Sequence, residues 1–192
     1  MTRILDERAF DMVRKAGLSK LLPSRPRVAV GMGTCGSGNG AEGVYQAFAH
    51  AIDQRGLDMQ LVQTGCFGFC AEEPLVNVWN PGRSLVILHR VQTNHIDQIL
   101  DGLAGAGIPE NLVLCKIERW DHVTAQIDYG SGSAMVPAWD EIPFFKGQKR
   151  IVLRNCGLIN PDDIEEYIAI GGYRSLQKVL LDGTPELAID QL

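Results

Sequence analysis

The sequence predicts an α/β protein: a small mixed β-sheet with helices on its faces, preceded by one helix and followed by a further α/β segment. Three observations predict it. From Arg27 onward, short apolar runs are interleaved with helical repeats; two of these runs are joined through a helix and two through a tight turn; and glycine gathers in two loops that follow strands. The chain has 192 residues, 45% of them hydrophobic, which is enough to bury a core. A net charge of −5 excludes the basic excess of a general nucleic-acid binder. No run of ~18 apolar residues is present to insert in a membrane, and the N-terminus lacks the apolar stretch of a signal peptide. Five cysteines, an odd number with no sign of secretion, point to reduced thiols or metal ligands in a cytoplasmic setting rather than to a disulfide framework.

The first helix is expected over about residues 3–22, with Phe10, Val13, Gly17 and Leu21 along one stripe and Pro23 as its stop. Gly17 weakens it by roughly 1 kcal/mol relative to alanine. The helix either packs on its own domain or docks a partner subunit. Val28–Val30 form a strand that runs into GMGTCGSGNG (Gly31–Gly40). A helix follows, with Val44, Ala47, Phe48, Ala51 and Ile52 on its apolar face and Gly56 at its end. Met59–Val62 make the next strand, which enters GCFGFCAEEP. Leu75–Trp79 and Ser84–His89 are strands joined by Asn80-Pro81-Gly82, and a helix with Ile96, Ile99, Leu100 and Leu103 inward closes the unit near Gly105.

The order β-α-β-β-β-α, with its first two strands parallel through a right-handed crossover, is that of a thioredoxin-like fold. Both cysteine-bearing loops follow neighbouring strands, so they are expected to meet at one end of the sheet. Farther on, Leu112–Ile117 reads as a strand and Asp128–Pro143 as a linker. RIVLRNCG (Arg150–Gly157) is strand-like. Asn160 is the expected N-cap of a helix with Pro161 in its first turn, and a second helix spans Tyr173–Leu181.

Gly31-Met32-Gly33-Thr34-Cys35-Gly36 matches G-x-G-x-x-G, but four residues separate its last glycine from the expected helix, and the second strand ends in Gln63-Thr64 without an acid for a ribose. A plain glycine turn is the other reading. Cys66-x-x-x-Cys70 is more specific: thiolates this close can share one soft metal centre, and the glycines around them free backbone N–H groups to face sulfur. The spacing is one residue too long for a C-x-x-C redox pair. His50, His89, His95 and His122 are scattered, so no zinc site is expected.

GCFGFCAEEPLVNVW resembles the second cysteine loop and following strand of the thioredoxin-like [2Fe-2S] ferredoxin domain found in complex I-type NADH dehydrogenases, NAD-linked hydrogenases and formate dehydrogenases. FFKGQKRIVLRNCGLINPDDIEEYIAIGGYRSLQKVL (Phe144–Leu180) resembles the N-terminal part of their NADH-oxidising flavoprotein subunit. With the N-terminal helix (1–25), which has no clear counterpart in the family, the chain divides into four expected segments: that helix, a ferredoxin-type domain (26–107), a strand and linker (108–143) and the start of the flavoprotein domain (144–192). The resemblance implies an electron-transfer module with Cys35, Cys66 and Cys70 as ligands of a [2Fe-2S] cluster, or else a cluster-free interaction domain that organises subunits. In the family the first loop carries a C-x₄-C pair; here it offers only Cys35, with Gly40 five residues on, or Gly31 and Gly36 in the other register. Ser37, Asn39 or Cys115 are the candidates for a fourth ligand; otherwise Cys115 and Cys156 are apolar, strand-like bystanders. FMN, NAD and [4Fe-4S] sites belong to the part of the family's chain that would follow Leu192, so this chain is not expected to be catalytic alone. The implied partners are other subunits of such a complex, or a second copy of the chain.

Overall fold

A computed structural model describes residues 6–121, 126–128, 130–133 and 135–191. Helix α1 (Glu7–Leu21) starts where the Asp6 carboxylate accepts the Ala9 N–H at 2.7 Å. Strand β1 (Arg27–Gly31), buried throughout, leads through α2 (Thr34–Gly38) into α3 (Ala41–Gln54), and β2 (Gln60–Thr64) follows. Strands β3 (Val76–Trp79) and β4 (Leu85–Leu88) form the hairpin, with the Arg83 N–H closing the turn on the Asn80 carbonyl. Then come α4 (Ile96–Asp101), β5 (Val113–Ile117), β6 (Arg119–Asp121) and β7 (Gln126–Asp128). The C-terminal part holds α5 (Pro143–Lys146), α6 (Ile164–Ala169), α7 (Arg174–Asp182) and α8 (Pro185–Asp190).

The main sheet has the order β2-β1-β3-β4-β5, with β1 and β2 parallel and the remaining pairs antiparallel. This is the thioredoxin-like mixed sheet with flanking helices, extended by one strand. Its two faces bury different partners. Val28, Val30, Val76, Val78 and Leu88 pack under α3 and α4, against Val44, Phe48, Ile96, Ile99 and Leu100. Leu75, Ile87, Cys115 and Ile117 look the other way, onto Leu21 of α1 and onto Trp139, Phe145, Leu158 and Ile170 of the C-terminal part.

Helix α1 packs on its own chain. Lys20 bridges Asp163 at 2.6 Å and Glu165 at 2.8 Å, at the start of α6.

Four local expectations need correction. The segment Ile151–Gly157 is a run of turns instead of a strand, with Val152 89% exposed, because the outer edge of β5 is already taken by a bridge between Lys116 and Ala138. Cys156 therefore sits in a turn, not in an apolar strand. Asn160 does not cap α6: its side chain accepts the Asp162 N–H in a local turn, and the Asp163 carboxylate caps the helix through the N–H groups of Glu165 and Glu166. In the stretch read as a linker, Tyr129 and Ala134 lie outside the described residues, as do residues 1–5 and His122, but Ala138, Trp139 and Ile142 are core. Aromatic burial there outweighs the glycine, serine and proline that suggested a tether.

Candidate functional site

The parallel register of β1 and β2 places Gly31 opposite Thr64, so the two glycine-rich loops leave the sheet side by side. The Met32 N–H donates to the Thr64 carbonyl at 2.9 Å. Strand β3 runs the other way and begins beside Val30, which brings the end of the second cysteine loop to the same place; the Gly31 N–H donates to the Leu75 carbonyl at 2.9 Å. Cys35, Cys66 and Cys70 thus come from three points of the chain to one end of the sheet.

Cys35 lies in the first turn of α2, which occupies part of the segment expected to be an open loop. Gly33, just before it, lies so near the second loop that a Cβ there would stand 2.7 Å from Cys66 Cβ. The thiols act on one another electrostatically: Cys70 on Cys66, and Cys35 and Cys66 on Cys70. Burial pushes the Cys66 thiol up, and the Gly68 N–H, 3.2 Å from its sulfur, partly offsets this. The neighbouring Cys35 thiol pushes the exposed Cys70 thiol up. Gly68 has φ +86°, the left-handed conformation that turns its N–H back onto sulfur.

The loop is held from behind. Phe67, 3% exposed, has its ring 4.8 Å from Trp139, and Trp139 stacks on Phe145 at 3.7 Å. Phe69 stacks on Phe144 at 4.4 Å. Gly157 closes over Phe67 so tightly that a Cβ there would lie 2.5 Å from the ring. Alternation across Cys66-Phe67-Gly68-Phe69-Cys70 sends the aromatic rings toward the C-terminal part and the sulfurs toward the first loop. This anchor was not legible in the sequence, because its partners lie far along the chain.

Glu73 is the residue that sequence reasoning missed. It is 7% exposed, and its Oε2 accepts the Leu75 N–H at 2.7 Å, while Oε1 is buried without a hydrogen-bond partner. Burial raises its pKa. Nothing in the sequence marks it beyond its place three residues after Cys70.

A [2Fe-2S] cluster takes four protein ligands. The site brings three thiols together, and the candidates for a fourth are engaged elsewhere. Cys115 is fully buried on β5 among Ile87 and Ile117; Ser37 Oγ donates to the Met32 carbonyl at 3.4 Å; Asn39 Nδ2 donates to the Cys35 carbonyl at 2.7 Å. Among the described residues, no group of three or more His, Cys, Asp or Glu is arranged to hold a metal ion. The donor set does not complete a four-thiolate site. The G-x-G-x-x-G segment likewise has its glycines packed against Cys66 and Glu73 rather than opened toward a ligand.

Comparison with known proteins adds a sequence relative. Over 45 residues, 23% of the chain, the sequence is 51% identical to the NADP-reducing hydrogenase subunit HndC of Solidesulfovibrio fructosivorans. The matched segment spans 9% of that relative's length. No family model matches the chain. Among solved structures, a thioredoxin-like [2Fe-2S] ferredoxin from Aquifex aeolicus is 25% identical and covers 48% of this chain and 93% of its own, with a TM-score of 0.42. A second structure of the wild-type ferredoxin from that organism is 26% identical over 48% of this chain and 99% of its own, also with a TM-score of 0.42. No helix among the described residues is long and apolar enough to cross a membrane.

Proposed function

We propose that the chain is an electron-transfer module at the front of a flavoprotein-type subunit, of the kind found in NADH dehydrogenases, NAD-linked hydrogenases and formate dehydrogenases. In this reading residues 26–107 carry the redox site, residues 144–192 are the lead-in to the rest of the subunit, and the partners are the other subunits of the complex. One observation carries it: the two cysteine-bearing loops converge at one end of a thioredoxin-like sheet, so close that a Cβ on Gly33 of the first would stand 2.7 Å from Cys66 Cβ of the second. The 45-residue match to a hydrogenase subunit supports the setting.

A potentiometric titration of the anaerobically purified chain tests it. The expected result is a reversible redox transition that disappears in Cys70→Ser. A chain with no redox-active group, or one whose transition persists without Cys70, overturns the reading. Iron and acid-labile sulfide analysis of the same sample reports whether a cluster is the carrier.

A second reading, a module that organises neighbouring subunits, is favoured by apolar side chains left uncovered in the C-terminal part: Leu180 at 73%, Ile189 at 70% and Val152 at 89% exposed. The two readings are compatible, since an electron-transfer module must also dock.

A further inference from the structure

At the end of the sheet away from the thiol loops, four strands set side chains in one row. Arg27, at the opposite end of β1 from Gly31, stands across from Trp79 of β3; Leu85 of β4 stands across from Ile117 of β5, and the β3–β4 hairpin sets the two pairs next to each other. Residues opposite one another on paired strands share a face. Here it is the face that carries the C-terminal part, since Val28 and Val78, the next residues along β1 and β3, point under α3 and α4. The C-terminal part leaves this end of the face open as a cleft of about 710 Å³, floored by the row and walled by Leu21 of α1 and by Leu158; Arg83 and Arg119 also line it.

Arg27 is the residue that an apolar cleft would not need. It is 2% exposed, and its Nε and Nη2 have no hydrogen-bond partner among the described residues. Glu166 stands 3.9 Å away, beyond hydrogen-bond reach, and its Oε2 already accepts the Asn160 N–H at 2.7 Å. Buried donors left over in this way are costly, and a planar guanidinium fork is answered best by an oxyanion. The charge of the lining agrees. Its carboxylates are engaged: Glu118 by Lys116 at 2.9 Å, and Asp128 by the Gly130 N–H at 3.0 Å. Arg83 and Arg119 make no ion pair among the described residues.

We propose that this cleft binds a small organic anion with an apolar body, a carboxylate or a phosphate monoester, whose oxyanion meets the Arg27 guanidinium while its body lies over Trp79, Leu85 and Ile117. Arg83 and Arg119 add positive charge around the head group. The volume is that of a small-molecule site, roughly 300–1,000 Å³, and is more than a bare inorganic anion fills. The apolar half of the lining supplies contact area for the body, and the arginines supply the selection for charge. Its place at the far end of β1 keeps the cleft separate from the thiol loops.

The test titrates the isotope-labelled full chain with phenyl phosphate and with benzoate, and follows the Arg27 Nε–H and Trp79 indole N–H resonances by NMR. At least one of the two probes is expected to move both resonances saturably, and the tighter binder identifies the head group. Benzyl alcohol, which has the ring without the charge, and inorganic phosphate, which has the charge without the ring, are expected to bind about tenfold more weakly or less. Arg27→Met is a poor probe, because it strands Glu166 in the interior. The double variant Arg83→Glu/Arg119→Glu changes only exposed residues, and is expected to weaken binding of the preferred probe by about tenfold while the spectrum of the core stays unchanged. No saturable shift with either anion, shifts centred away from the cleft, binding of benzyl alcohol as tight as that of the anions, or a charge-reversed variant that binds like the wild type each overturns the proposal.

Discussion

Gly17 in α1 lies so close to Glu165 in α6 that a Cβ on it would stand 2.0 Å from the Glu165 carbonyl oxygen and 2.9 Å from Ala169 Cβ. The glycine that weakens α1 as an isolated helix is thus the point at which the two helices meet. Gly17→Ala gains roughly 1 kcal/mol of helix propensity. Against that it must force the helices apart, and overpacking of this kind costs about 1–3 kcal/mol or more. The expected outcome is a net loss of stability in urea denaturation, accompanied by weakening of the Lys20 bridges to Asp163 and Glu165. A stabilised variant would mean that α1 does not pack there.

Arg27 and Glu166, each 2% exposed, face each other at 3.9 Å, and Arg27 Nε and one terminal guanidinium nitrogen have no hydrogen-bond partner. Burial lowers the Arg27 pKa and raises that of Glu166, each partly offset by the other's charge. Arg27→Met strands the Glu166 carboxylate in the interior and is expected to cost about 3–5 kcal/mol; adding Glu166→Gln recovers much of it. Denaturant midpoints of the wild type, the single variants and the double variant check this, and simple additivity would count against a coupled pair.

Glu73 gives the protein a pH dependence with a definite sign. Burial holds its folded pKa above the unfolded value of about 4.3, and the Leu75 N–H offsets only part of the shift. The folded state therefore holds the proton more tightly, and this contribution to stability is lost as pH rises through the interval between the two values. Glu73→Gln has no group to titrate there. Its stability relative to wild type is expected to improve from pH ~4 toward neutrality, measured by urea denaturation across a pH series. An offset that is constant with pH would refute the assignment.

Phe67 couples the thiol loop to the C-terminal part through Trp139 and the close approach of Gly157. Phe67→Ala empties a buried ring site and is expected to cost about 3–5 kcal/mol. It should also loosen the loop, so that Cys66 and Cys70 react faster with an alkylating reagent while Cys115 does not. Unchanged thiol reactivity would show that the aromatic anchor does not hold the loop.

The cysteines themselves should react in a fixed order. Cys70 is exposed, Cys66 is half-buried, and Cys115 is fully buried with its thiol pushed far up by burial. At neutral pH a thiol reagent is expected to modify Cys70 first and Cys115 only on unfolding. Rates at Cys66 and Cys70 should rise with pH, because both thiol pKa values are raised and the thiolate is the reacting form. Time-resolved mass spectrometry reads all of these together.

By itself the sequence determined the strands and helices of the sheet-bearing unit, since β1 to β4, α3 and α4 carry their periodicity and turn residues locally. It also determined that the loops after β1 and β2 would meet, because a right-handed β-α-β crossover leaves little choice. Tertiary structure decided the remainder. Arg150–Gly157 has the composition of a strand, yet the sheet edge it could have joined is covered at Lys116 by Ala138, so it turns instead. Asp128–Pro143 has the composition of a tether, yet Trp139 and Ile142 found an apolar face to bury against. Glu73 became part of the thiol site only because β3 returns antiparallel to β1 and sets its carboxyl beside Gly31 and Gly36. Local pattern encodes what a segment forms when its neighbours are near in sequence; which edge is open, which face is bare and which carboxyl stands beside which thiol depend on contacts between distant segments, and those exist only once the chain has folded.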